Sequence, residues 1–118
     1  LLDLLRVLSK WRIELIRNAF IKANGLNVVA GPFAGMLFME RSQEGCHIPK
    51  LLGCYEQPLW STIEQVIKRS YSAVIHIGCA EGYYAVGLGM KLKKAKIFAF
   101  DTDEHAQEKC KQLAKDGG

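Results

Sequence analysis

A chain of 118 residues has room for one small domain, and 49% apolar with 24% charged residues is an ordinary globular composition. No apolar run approaches the roughly 20 residues that a membrane-spanning helix needs, and Asp3 and Arg6 interrupt the leucine-rich start before it could serve as a signal peptide. The net charge of +4 rests largely on lysines within 91–96 and 109–115, where no aromatic residues interleave; a solvated helix face and loop are expected there rather than a nucleic-acid platform.

Residues 1–24 predict an amphipathic helix. Leu1, Leu4, Leu5, Leu8, Trp11, Leu15, Ala19 and Ala23 recur at three- and four-residue steps and are expected to form a packing stripe. Asn24-Gly25 is the natural stop. Short strands are expected at Asn27–Ala30 and Met36–Met39, around a turn at Gly31–Gly35, followed by a polar loop over 40–49. Pro58 opens a helix from about Leu59 to Arg69, with Trp60, Ile63, Val66 and Ile67 facing inward.

From residue 72 the pattern alternates. Ala73–Ile77 reads as a buried parallel strand, Tyr83 to about Lys91 as a helix, and Ile97–Phe100 as a second strand. A second helix runs from Asp103 to Ala114, capped by Thr102 or Asp103, with Gly117-Gly118 beyond it. This order predicts an α/β fold with a parallel sheet and a right-handed crossover. The chain divides into a helical and hairpin extension, 1–70, and the first βαβα unit, 71–118. Two strands bury little apolar surface, and there is no initiator Met. The expectation is therefore a piece of a longer protein, or a sheet edge covered by a second copy.

Cys46, Cys54, Cys79 and Cys110 form no CxxC pair. Their spacing suits neither a zinc site nor a disulfide framework, so reduced thiols in a cytoplasmic protein and no metal are expected.

The chemistry concentrates in Val74-Ile-His-Ile-Gly78-Cys-Ala-Glu-Gly82-Tyr-Tyr. A strand ends, a glycine-containing turn follows, and a helix begins. Glycine permits a tight turn and lets a ligand approach bare backbone, while the helix start offers unpaired N–H groups. Asp101, at the end of the next strand, follows Gly78 by 23 residues. In nucleotide-binding βαβ units an acidic residue about 20 positions beyond the glycine turn accepts hydrogen bonds from ribose hydroxyls. Gly78 and Asp101 should therefore face one crevice. A dinucleotide turn wants G-x-G-x-x-G, but Ala80 and Tyr83 stand at its second and third glycine positions, and no G-K-[ST] follows.

The turn resembles instead the first motif of class I S-adenosylmethionine (AdoMet)-dependent methyltransferases, which have a Rossmann-like fold. The strings IGCAEGYYAVGLG and KIFAFDTDEHAQEKCKQLAK, over about residues 73–115, are similar to the FkbM-type family of these enzymes; GPFAGM and PKLLGCYE resemble its leader more weakly. The resemblance implies methyl transfer to an oxygen of a small molecule or sugar, with AdoMet as cofactor and a small-molecule acceptor as partner. A membrane or nucleic-acid partner is not expected, and the chain by itself is expected to be inactive. Carried over by position, Gly78, Cys79, Ala80, Glu81 and Gly82 would line the methionine end of the cofactor. Asp101 would bind the ribose, Thr102 and Asp103 would lie near the adenosine, and Tyr83 or Tyr84 would close over the cofactor or pack. His76 replaces the acidic residue that in the family helps hold the cofactor's ammonium group; a neutral imidazole would accept one hydrogen bond there. The alternatives are an NAD- or nucleotide-dependent oxidoreductase and a non-catalytic Rossmann-like binding module.

Overall fold

The structure, a computed structural model, describes residues 1–42 and 45–117. Its elements are α1 (Leu2–Asn24), α2 (His47–Leu52), a 3-10 turn (Gln57–Leu59), α3 (Trp60–Lys68), β1 (Ala73–Ile77), α4 (Tyr83–Lys91), β2 (Lys96–Phe100) and α5 (Glu104–Gly117). The fold is mixed α/β, with a two-stranded parallel sheet. Residues Gln43 and Glu44 of the polar loop, and Gly118 at the expected helix end, lie outside the described residues.

α1 stops where the sequence says, at Gly25 with φ 67°. Its apolar stripe does not pack. Residues 1–16 are exposed throughout, and so are Ala19 and Ala23. The helix attaches through its other side and its last turns. Arg17 is buried, donating to the Glu40 carbonyl at 3.0 Å and pairing with Glu14 at 2.7 Å, and Phe20 and Ile21 rest against the core. Periodicity marks a stripe that could be covered, but the described residues supply no surface that covers it.

The expected hairpin of two short strands is reduced to one antiparallel bridge, Asn27–Leu37. The Val28 N–H still donates to the Met36 carbonyl and the Phe38 N–H to that of Leu26. The Val29 N–H turns away, however, to the Leu51 carbonyl at 3.0 Å. That bond docks α2, an element missed in the loop expectation. Pro49 does not disturb α2, because it falls in the first turn, where its missing N–H has no helical partner to lose. Pro58 opens the 3-10 turn ahead of α3, whose Trp60, Ile63, Val66 and Ile67 are half-buried as expected.

The core lies between this leader and α4, not within the sheet. Val28, Phe33, Met36, Phe38 and Leu51 pack with Tyr83, Val86, Leu88, Leu92 and Leu113. Residues from both sides of position 70 thus share one core. The Phe33 ring seats directly on Gly87 of α4, where a Cβ would meet it at 2.6 Å.

β1 and β2 pair in register from Ala73–Lys96 to Ile77–Phe100. Val74 and Ile97 pack toward the core. The opposite face is open: Ile75 is 67% and Ile77 82% exposed, and Phe98 and Phe100 are exposed beside them. The expectation of a buried strand therefore holds for one face only. A continuous apolar run prepares a strand for two covered faces, and the described helices cover one.

These two apolar environments should respond differently to substitution. Phe33→Ala should cost about 3–5 kcal/mol, whereas Ile77→Thr should stay within about 0.5 kcal/mol. Urea unfolding midpoints of the two variants check the contrast, and a large loss at Ile77 would mean that its face is covered in solution.

Candidate functional site

The carboxyl ends of β1 and β2 carry the site. Past Ile77 the chain stays tied to β2, because the N–H groups of Gly78 and Cys79 both donate to the Phe100 carbonyl, at 2.8 and 2.9 Å. It then bends through three residues of positive φ: Gly78 (73°), Ala80 (49°) and Gly82 (96°). The two glycines serve different ends. A Cβ on Gly82 would meet Cys110 Sγ of α5 at 2.7 Å, so this position is set by packing. A Cβ on Gly78 would meet nothing within 4 Å, so its bare backbone faces open space. Ala80 is an L-residue in the left-handed region, which costs about 1 kcal/mol.

Asp101 holds that bend. Its Oδ2 accepts the Ala80 N–H at 2.8 Å and its Oδ1 accepts the Asp103 N–H at 2.9 Å. The N–H groups of Asp103 and Ala80 favour the carboxylate and hold Asp101 below its ordinary value. The Thr102 N–H also favours the charged form, and a carboxylate offers about four lone-pair sites, so some acceptor capacity remains for a ligand. Asp103 in turn caps α5, accepting the His105 N–H at 2.9 Å. The glycine bend and the acid at the next strand tip are therefore in direct contact.

A cavity of about 250 Å³ opens beside the bend. His76, Gly78, Cys79, Ala80, Glu81 and Tyr83 of the expected set all line it. Gly82 does not, being packed on Cys110, and neither does Thr102, which is exposed. Asp101 reaches the cavity wall through Ala80. The leader supplies the rest of the lining: Lys50, Tyr55 and Glu56, with Tyr84 from α4. Sequence reasoning gave the three leader residues no role, although Lys50, Tyr55 and Glu56 belong to the PKLLGCYE stretch that carried the weaker leader likeness.

The contacts change several expected roles. Glu81 is 1% exposed and pairs with Lys50, itself 3% exposed, at 2.7 Å. Ser42 Oγ also donates to the Glu81 carboxylate. Lys50 Nζ lies 5.0 Å from the Tyr55 ring centroid and 5.9 Å from that of Phe38. The Glu81 carboxylate is therefore engaged inside the wall and is not presented to a ligand. Cys79 is buried in a cluster with Ala85 and Cys110, which leaves its backbone to face the cavity. Burial, reinforced by Cys79, pushes the Cys110 thiol up to about 11. All four cysteines are free.

Tyr83 is a packing residue first. Phe33, Phe38, Tyr55 and Tyr84 surround its ring edge-on, at centroid distances of 5.4–5.7 Å. Burial pushes its phenol up to about 12. Tyr84 donates to Glu56 Oε2 at 2.6 Å, and its phenol is raised by burial and by that bond. His76 lies edge-on to Tyr84 at 6.2 Å, with its Nδ1 buried and without a hydrogen-bond partner. Among the described residues no group of three His, Cys, Asp or Glu side chains is placed to hold a metal ion.

No family model, curated protein or solved structure matches this chain.

Removing one partner of the buried pair, as in Glu81→Gln or Lys50→Met, should cost about 3–5 kcal/mol, because the other charge is left buried. The double variant Lys50→Met/Glu81→Leu should recover most of that loss, and a double-mutant cycle in urea measures the coupling. The pH dependence has a defined sign. Asp101 is depressed in the folded state, so its contribution is complete above its ordinary value of 3.8 and is lost as pH falls through the lower folded-state value. Below pH 3.8 the urea midpoint of the wild type should therefore fall more steeply than that of Asp101→Asn.

Proposed function

We propose that this chain is the cofactor-binding part of an AdoMet-dependent methyltransferase of the FkbM type, acting on an oxygen of a small molecule or sugar. The observation that carries the reading is the Ala80 N–H bond to Asp101, which holds an open glycine backbone and an acid with spare acceptor capacity side by side at the strand tips. The cavity of about 250 Å³ falls below the ~300–1,000 Å³ usual for ligand sites. It therefore suits one end of a nucleoside-bearing ligand, with the remainder extending past Asp101.

Charge favours this ligand over a dinucleotide. Among the described lining residues Lys50 is the one Lys or Arg side chain, and it is paired with Glu81. Glu56 and Asp101 leave the crevice negative. A pyrophosphate would bring like charge to it, whereas AdoMet, with a sulfonium, an ammonium and a carboxylate, is a net cation. AdoMet supplies a methyl group activated for in-line displacement. In this reading the bare backbone at Gly78 admits the methionine end, and Asp101 accepts from the ribose hydroxyls. The start of α4 faces the ligand's carboxylate with its unpaired N–H groups. The open face of the sheet is then where further strand–helix units, or a second copy of the chain, would pack.

Calorimetric titration with AdoMet and with NAD tests the reading. AdoMet should give a saturable heat and NAD none; the reverse would favour the oxidoreductase alternative. Asp101→Asn should weaken AdoMet by about tenfold or more through loss of a charge-assisted partner. Unchanged affinity in a variant that still unfolds cooperatively would place the ribose elsewhere.

A further inference from the structure

The position from which the sequence leads one to expect an ammonium contact is His76, which carries no carboxylate and whose Nδ1 is buried without a hydrogen-bond partner. The lining also holds two carboxylates, and one of them is consumed: Glu81 is enclosed with Lys50 and Ser42. The other is Glu56. It comes from the leader, lies at the mouth of the same cavity, and is exposed. Tyr84 donates to its Oε2 at 2.6 Å and so fixes its direction from the first turn of α4. Its backbone is left-handed, with φ 48°, in a residue that is neither glycine nor asparagine. The ion pairs among the described residues leave Glu56 without a cationic partner. A carboxylate that is aimed by a phenol, left uncompensated in charge and set at a cavity mouth is suited to a ligand cation.

Resting on the AdoMet reading, we propose that Glu56 binds the α-ammonium group of the cofactor's amino-acid tail, with Tyr84 as its positioning residue. The carboxylate that recognises the tail then belongs to the leader and not to the strand, and His76 forms only the wall behind it. One Oε2 lone pair is taken by Tyr84, and the remaining lone pairs of the carboxylate accept from the ammonium. A ligand lacking the amino group gains nothing from Glu56.

The test compares ligands as well as variants, by calorimetry on the chain. The ligands are AdoMet, its deaminated analogue, and 5′-methylthioadenosine, which keeps the adenosine and sulfur without the amino-acid tail. The wild type should bind AdoMet about tenfold or more tightly than the deaminated analogue. Glu56→Gln, whose amide oxygen still accepts from Tyr84, should lose AdoMet affinity by about the same factor while its affinity for 5′-methylthioadenosine is unchanged. Glu56→Asp should recover part of the loss, and Tyr84→Phe should show a smaller selective loss. Equal wild-type affinity for AdoMet and the deaminated analogue overturns the assignment without any variant. So does a Glu56→Gln effect that is absent, or equal for AdoMet and 5′-methylthioadenosine. In each of these outcomes the adenosine grip survives, whereas a wild type that binds none of the three ligands removes the AdoMet reading and this assignment together.

Discussion

The buried ion pair between Lys50 and Glu81 is the interaction on which the rest of the arrangement depends. Withdrawing two charges from water costs several kcal/mol per ion and is tolerated only where each charge is well surrounded. Here Lys50 has the carboxylate of Glu81 and the faces of Tyr55 and Phe38, while Glu81 has Lys50 and Ser42. The pair joins segments far apart in sequence: the loop bearing Ser42, the short helix α2, and the bend between β1 and α4. Neither charge can leave without stranding the other, so the pair ties leader and bend together.

Other contacts follow from that attachment. Phe33 reaches the backbone of α4 at Gly87, and Tyr83 is enclosed edge-on by rings from both parts. The bend is held from below by Asp101 and from the side by Lys50. A turn with an alanine at φ 49° would be costly in isolation; between these two supports the cost is offset by hydrogen bonds that only this conformation makes. The cavity is consequently half a product of the βαβ unit and half a product of the leader, and its free acid, Glu56, comes from the leader.

The chain also leaves apolar surface unused. The leucine stripe of α1 and one whole face of the sheet meet solvent. Both were legible as apolar, and both were expected to be covered. The pattern of a segment states what kind of surface it offers, but whether a partner surface exists is a property of the rest of the assembly. The same distinction explains the site. Gly78, Ala80 and Asp101 could be placed at neighbouring strand tips from strand order and spacing alone, because parallel neighbours bring their carboxyl ends together. Glu81 and Gly82 could not be separated from them in role, since the residues that engage them, Lys50 and Cys110, lie 31 and 28 positions away.

What the sequence by itself determined is local. Helix and strand periodicity, the glycine stops and the acid at the second strand tip fixed the βαβα order and the position of the bend, because those preferences act over a few residues of backbone. What only the tertiary structure decided is which charges remain free. Asp101 retains acceptor capacity, Glu81 is consumed, Gly82 serves packing, and Glu56 enters the cavity. Whether a carboxylate is available to a ligand depends on the cation nearest it in space, and the chain brings that cation to Glu81 only by folding its leader back over α4.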